Sequence, residues 1–195
     1  MDVYSQALKI IQNMVEDAKQ VALPEPMVMS LATVDEAGQP SVRTVYLQAV
    51  VDSGLIFFTN RYSRKSSQLA ANPRAAVCLY CQPLARQIQV EGSARLPTAD
   101  EAATYWAMRG RESQLAAWAS AQSEPTESRE QLERRVSQYR QRYDFHRQVP
   151  IPHHWCGYCL EPQRIEFWKK SWRRPQQRLC YQKTPDGWSV IRLNP

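Results

Sequence analysis

Residues 41–65, SVRTVYLQAVVDSGLIFFTNRYSRK, constrain the chain more than any other stretch. Val42, Thr44, Tyr46 and Gln48 alternate with Arg43, Val45, Leu47 and Ala49, the period of two that marks a strand. Asp52-Ser53-Gly54 is a turn signal, and Leu55 to Thr59 is a short run of β-branched and aromatic residues, a second strand. Asn60-Arg61-Tyr62-Ser63-Arg64-Lys65 then sets three cations and two hydroxyls in six residues, just before the helical pattern of residues 66–71. Cations, hydroxyls and free N–H groups at a helix start are what a phosphate needs. Taken alone, the same six residues also read as a solvated basic loop.

The flanking chain repeats this grammar. Residues 4–21 predict an amphipathic helix with Ala7, Ile10, Ile11, Met14, Ala18 and Val21 as its apolar stripe. A strand is expected over Met27–Val34, ending in the Asp35–Pro40 turn, and others over Ala75–Cys81 and Arg86–Leu96. Thr98-Ala99-Asp100-Glu101 is a capping box that opens a helix to about Met108, and Ser113–Ser120 forms a second helical piece. Ser128-Arg129-Glu130-Gln131 opens a third, to about Tyr143, studded with arginines that suit a solvated face or, less simply, nucleic acid. The tail predicts strands near Tyr158–Leu160, Arg164–Lys169, Arg178–Lys183 and Trp188–Leu193. Sequential hairpins with inserted helices give a mixed α/β chain, mainly antiparallel β, arranged as one β-barrel domain across 1–195.

Charge and cysteines narrow the function. The net charge of +6, from 25 Lys+Arg against 19 Asp+Glu, suits anionic ligands. The excess is modest and no nucleic-acid motif accompanies it, so a nucleic-acid partner is not expected. No apolar run approaches a membrane span and no leader pattern opens the chain, so a cytoplasmic location without membrane contact is expected. Four of the five cysteines form C-x-x-C pairs, Cys78/Cys81 and Cys156/Cys159. Residues three apart on a strand point to opposite faces, so free thiols and no metal are expected.

Five ordered segments carry a resemblance: R-x-V-x-L from Arg43, F-x-T-N-x-x-S-R-K from Phe57, R-Q-x-x-V-E-G from Arg86, S-Q-L-x-A-W-A-S-x-Q-S from Ser113, and R-I-E-F-W from Arg164. In that order they resemble the pyridoxamine 5′-phosphate oxidase family of FMN enzymes, across nearly the whole chain. The resemblance implies an FMN-binding split β-barrel with flanking helices. It implies a homodimer with cofactor sites at the subunit interface, and a C-terminal segment, 153–195, that serves dimerisation and substrate. It carries FMN contacts to Arg43, Val45, Tyr46, Gln48, Phe58 and Thr59, and phosphate contacts to Arg64 and Lys65. It extends them to Gln87, Gln122, Ser123, Trp168 and Arg178. Substrate contacts fall on Gln48, Tyr105, Arg109 and Ser113, and at the pyridine end on Arg174 and Gln176.

The implied activity is oxidation of pyridoxine or pyridoxamine 5′-phosphate to pyridoxal 5′-phosphate, with O2 reduced to H2O2. The flavin supplies the redox chemistry and the protein positions the substrate carbon over it. No residue is assigned as a general base. Two positions depart from the family: Gln48 stands where it has Lys, and Gln176 where it has His. A neutral amide still donates hydrogen bonds but brings no charge. The departures leave open a related FMN oxidase of an aromatic biosynthetic intermediate, or a flavin-binding protein without turnover.

Overall fold

The computed structural model describes residues 1–21, 25, 27–126, 128–144, 147–171 and 175–195. The chain opens with α1 (Val3–Gln20), then β1 (Val28–Val34), β2 (Pro40–Tyr46), β3 (Ala49–Val51) and β4 (Gly54–Asn60). Next come α2 (Arg64–Ala71), β5 (Arg74–Cys81) and β6 (Arg86–Arg95). Three helices follow, α3 (Ala99–Ala107), α4 (Arg111–Ala119) and α5 (Arg129–Arg142). Three strands close the chain, β7 (Trp155–Lys169), β8 (Gln177–Thr184) and β9 (Gly187–Leu193).

The strands form one antiparallel sheet in the order β2-β1-β5-β6-β7-β4-β3, with β8 and β9 branching from β7. The sheet curls until β2 approaches β4. The turn from one edge to the other falls on two adjacent residues. Leu47 N donates to Met27 O at 2.8 Å, and Gln48 N donates to Ile56 O on β4 at 2.7 Å. The single strand read over Val42–Ala49 is therefore two, broken where the chain changes partners at a barrel corner.

Expected β-strands at Tyr158–Leu160 and Arg164–Lys169 are likewise one long β7. Pro162, which lacks an N–H, lies within this strand. The sheet absorbs it with a register shift between Glu91 and Gly92 on β6. Glycines allow the close approach: a Cβ at Gly92 would lie 2.0 Å from Glu161 O, and one at Gly54 2.0 Å from Leu160 O.

Leu31, Phe57, Val90, Leu160 and Ile165 fill the barrel interior, and α1 closes it with Ala7, Leu8, Ile11, Met14, Val15 and Ala18. Asp2 caps α1 by accepting from Ser5 N at 2.8 Å. Ile10 was expected in this stripe, but it is 36% exposed and borders a surface groove. A second core lies under α3–α5, where Trp106 and Leu115 pack with Trp155 and Val149. The Thr98–Glu101 capping box forms in full; at α5 only the Ser128 half of the box is made. Cys78 and Cys81 lie on β5, Cys156 and Cys159 on β7, with β6 between them, and all five cysteines are free thiols. Among the described residues no helix is long and apolar enough to cross a membrane.

Candidate functional site

The basic turn forms one wall of a cleft of about 850 Å³. Thr44 to Gln48 supply a second wall, Phe58 to Asn60 the floor, and Arg109, Ser113 and Ser120 the helical side. β2, β4, α2 and α4 all meet here because the sheet curls at Leu47/Gln48.

At the turn, cations gather without acids. Among the described residues, no carboxylate lies within ion-pair distance of Arg43, Arg64, Lys65 or Arg109. Lys65 is buried, at 7% exposure. Burial first, and then the nearby Arg43 charge, push its ammonium below the ordinary lysine range. Arg43 is lowered by burial and then by Arg64, and Arg109 by burial. Such a cluster is electrostatically unsatisfied until an anion joins it.

Neutral groups hold these cations in place. Arg43 donates to Thr33 Oγ1 at 2.6 Å, to Leu31 O at 3.2 Å and to Gln68 Oε1 at 3.2 Å. The Thr33 hydroxyl donates to Gln68 Oε1 at 2.6 Å, and Gln68 Nε2 donates to Ser41 Oγ at 3.1 Å. Thr33 and Gln68 are buried, so this network fixes Arg43 from behind. Gln122 Oε1 accepts from Thr59 Oγ1 at 3.0 Å, Asn60 N at 3.2 Å and Lys65 Nζ at 3.3 Å. Ser123 has a left-handed backbone, φ 72°, and its Oγ accepts from Arg64 N at 3.4 Å. The helix start thus carries two cations and no side-chain cap from Ser63. That arrangement fits a terminal phosphate. The partly apolar cleft beyond it has room for a ring system, with Phe58 stacked on Trp155 at 4.3 Å.

The other expected residues divide by location. Gln48, Arg109 and Ser113 line the cleft, and Arg109 Nε donates to Ser113 O at 3.2 Å. Tyr105 stands beside it, its ring tilted against Phe58 at 5.3 Å. Val45 is buried, while Tyr46 is exposed and donates to Glu25 Oε1 at 2.5 Å. Gln87, Trp168 and Arg178 form a single row across β6, β7 and β8. Gln87 and Trp168 line a separate groove of about 480 Å³ between α1 and the sheet. Arg178 is engaged by Glu166 Oε1 at 2.7 Å. Within one chain these three do not join the Lys65 cleft. Gln176 is exposed, and Arg174 lies outside the described residues.

Lys19, His154 and Trp155 also line the cleft, and sequence reasoning missed them. His154 Nε2 lies 2.7 Å from Ala117 O. No local pattern marks these residues, which reach the cleft through tertiary packing. Gln68 was more legible: a buried amide on the same helical face as Lys65 points toward a site.

Residues 15–143 match the family model described as pyridoxamine 5′-phosphate oxidase. Residues 155–195 match a model described as the pyridoxine 5′-phosphate oxidase C-terminal dimerisation region. The chain is 46% identical over 180 residues to the pyridoxine/pyridoxamine 5′-phosphate oxidase of Rubrobacter xylanophilus, spanning 92% of this chain and 82% of that protein. It is 49% identical over 166 residues to the protein of the same name from Alkalilimnicola ehrlichii, 85% of each. Among solved structures, PhzG from Burkholderia lata 383, in complex with tetrahydrophenazine-1-carboxylic acid, has a TM-score of 0.90 at 28% identity, over 96% of this chain and 92% of that one. A pyridoxamine 5′-phosphate oxidase-related, FMN binding protein from Nostoc punctiforme shares the fold, with a TM-score of 0.78 at 20% identity over 96% of both chains. Two family models that together span most of the chain, and relatives this similar over most of their length, assign the chain to the pyridoxamine 5′-phosphate oxidase family.

Proposed function

We propose that this protein is an FMN-dependent oxidase that converts pyridoxine and pyridoxamine 5′-phosphates to pyridoxal 5′-phosphate. The carrying observation is the cleft lined by Lys65 and Arg109, with Arg43 close enough to act on Lys65 and no acidic partner to any of the three among the described residues. Relatives named pyridoxine/pyridoxamine 5′-phosphate oxidase support the substrate. Overall, the primary alcohol of pyridoxine 5′-phosphate gives one hydrogen from its carbon and one from its hydroxyl to O2, yielding the aldehyde and H2O2. Pyridoxamine 5′-phosphate also consumes one water and releases ammonia.

FMN, when bound, supplies the two-electron acceptor. Arg43, Arg64, Lys65 and Ser123 would hold its phosphate, with Gln122 orienting Lys65. Backbone groups of Val45 to Gln48, with Phe58 and Thr59, flank the ring. Arg109, Ser113 and Tyr105 hold the substrate phosphate, and the Phe58–Trp155 stack keeps water from the floor. One domain spans 1–195. The working form is a homodimer in which the partner's row of Gln87, Trp168 and Arg178 completes each cleft.

The test is anaerobic mixing of flavin-loaded protein with pyridoxine 5′-phosphate. The flavin should bleach, and admitted oxygen should restore its colour with one peroxide per aldehyde. A flavin that stays oxidised would reject the substrate. A second reading has its own observation: Gln48 puts a neutral side chain in the cleft. That favours an oxidase of an aromatic biosynthetic intermediate, and a panel of such reductants in the same assay separates the two.

A further inference from the structure

We infer that Lys19, in the last turn of α1, is a specificity-determining residue that supplies the second positive charge for the substrate phosphate. The inference rests on the oxidase reading above and deepens it. Among the described residues, three cations line the cleft: Lys19, Lys65 and Arg109. Lys65 sits with Arg43, whose charge it already feels, at the helix start assigned to the cofactor. A substrate phosphate is a second dianion in the same cleft. Arg109 alone leaves it half neutralised, and Gln48 contributes hydrogen bonds without charge. Among the described residues, Lys19 is the remaining lining cation.

Its place in the fold suits the role. α1 packs against β3, the strand that begins one residue after Gln48. The end of the helix is thereby brought beside the wall where the neutral side chain stands, and Lys19 and Gln48 line the same cleft. Lys19 is not locked elsewhere. Its one ion pair is with Glu16, 2.7 Å away on the same helix, with both side chains about half exposed or more. Exposed pairs of this spacing hold a lysine weakly, so exchange of one carboxylate for a phosphate dianion is favourable. A long flexible ammonium also tolerates variation in the bound ring, because it acts as a point charge.

The experiment uses FMN-loaded protein, with flavin absorbance as the check on folding and occupancy. Peroxide release gives KM and kcat for pyridoxine 5′-phosphate, and equilibrium titration gives the Kd of pyridoxal 5′-phosphate. Lys19→Ala should raise both KM and Kd roughly 5- to 30-fold, with kcat nearly unchanged, because the phosphate binds alike in ground and transition states. Gln48→Lys placed in the Lys19→Ala protein returns a cation to the same wall and should recover most of the loss. Glu16→Gln, which frees Lys19, should leave KM equal or lower. Wild-type turnover with KM and Kd unmoved by Lys19→Ala would overturn the role of Lys19. Loss of kcat with KM unchanged would overturn it too. No wild-type turnover of either B6 phosphate would instead reject the oxidase reading, and the inference with it.

Discussion

Lys65 donates to the side-chain oxygen of Gln122 at 3.3 Å, although burial and Arg43 both disfavour its charge. A neutral amide oxygen satisfies one N–H of the ammonium but does little for the field. The pair is therefore an arrangement that waits for an anion. Gln122 keeps the lysine aimed at the cleft, where a phosphate would neutralise it.

Removing the charge should accordingly remove the cofactor. Lys65→Met is expected to weaken FMN binding by about 1.5–3 kcal/mol, the range for a charge-assisted hydrogen bond. That is roughly 10- to 150-fold in Kd. Arg64→Ala combined with Lys65→Ala should leave the protein colourless at low micromolar concentration. Titration of the apoprotein by flavin fluorescence quenching measures both, and full occupancy in the double variant would rule out the phosphate assignment.

Gln122→Ala separates orientation from charge. Its oxygen accepts from Thr59, Asn60 and Lys65, and the residue is exposed, so water can replace it for each donor. A loss of about 0.5–1.5 kcal/mol in FMN affinity is expected, that of an ordinary hydrogen bond. The effect should be smaller than that of Lys65→Met in the same titration. A larger effect would mean that Gln122 itself is the principal contact.

The hairpin leading to the cleft is set by Gly54. Its φ of 144° is one that side chains rarely adopt, and a Cβ there would meet Leu160 O at 2.0 Å. Gly54→Ala should destabilise the fold by about 3 kcal/mol or more, since backbone strain and a clash with main chain act together. Gly187 has a φ of 124° but nothing within 4 Å of its added Cβ, so Gly187→Ala should cost only about 1 kcal/mol. Urea denaturation of the two variants compares them, and equal losses would refute the role of the β7 contact.

The contrast between these positions explains what the sequence made legible. Period-two alternation and turn residues located the strands, and the basic turn beside the cleft could be read because its cations are contiguous in residues 60–65. The break at Leu47/Gln48 was hidden, since alternation continues through a corner where only the hydrogen-bond partners change. The continuity of β7 was hidden too, since the register shift opposite Glu91 and Gly92 exists only in its pairing with β6. Lys19 and His154 reach the cleft from elements whose own patterns concern the core and a connector. Gln87 is far in the chain from Trp168 and Arg178, and the three become one row only through β6–β7–β8 register.

Glu166 connects that row to pH. It is 4% exposed, and its two oxygens accept from Arg178 at 2.7 Å and Arg164 at 2.5 Å. The bond from Arg178, followed by that from Arg164, holds the carboxyl below its ordinary range even though burial opposes it. The folded state therefore binds the Glu166 proton less readily than the unfolded chain, whose glutamates titrate near about pH 4.3. The resulting stabilisation is complete above that pH and is lost as pH falls through the lower folded value. Glu166→Gln removes the titration but also leaves two arginines facing a neutral amide. It should lower Tm at pH 7 and flatten the fall of Tm between about pH 5 and pH 3. Because Arg178 then loses its anchor, the row with Trp168 should loosen, and dimer dissociation on dilution should rise in parallel. Thermal melts across the pH range, with sedimentation at pH 7, check both effects. A variant with wild-type acid sensitivity would show that other carboxylates govern the acid limb.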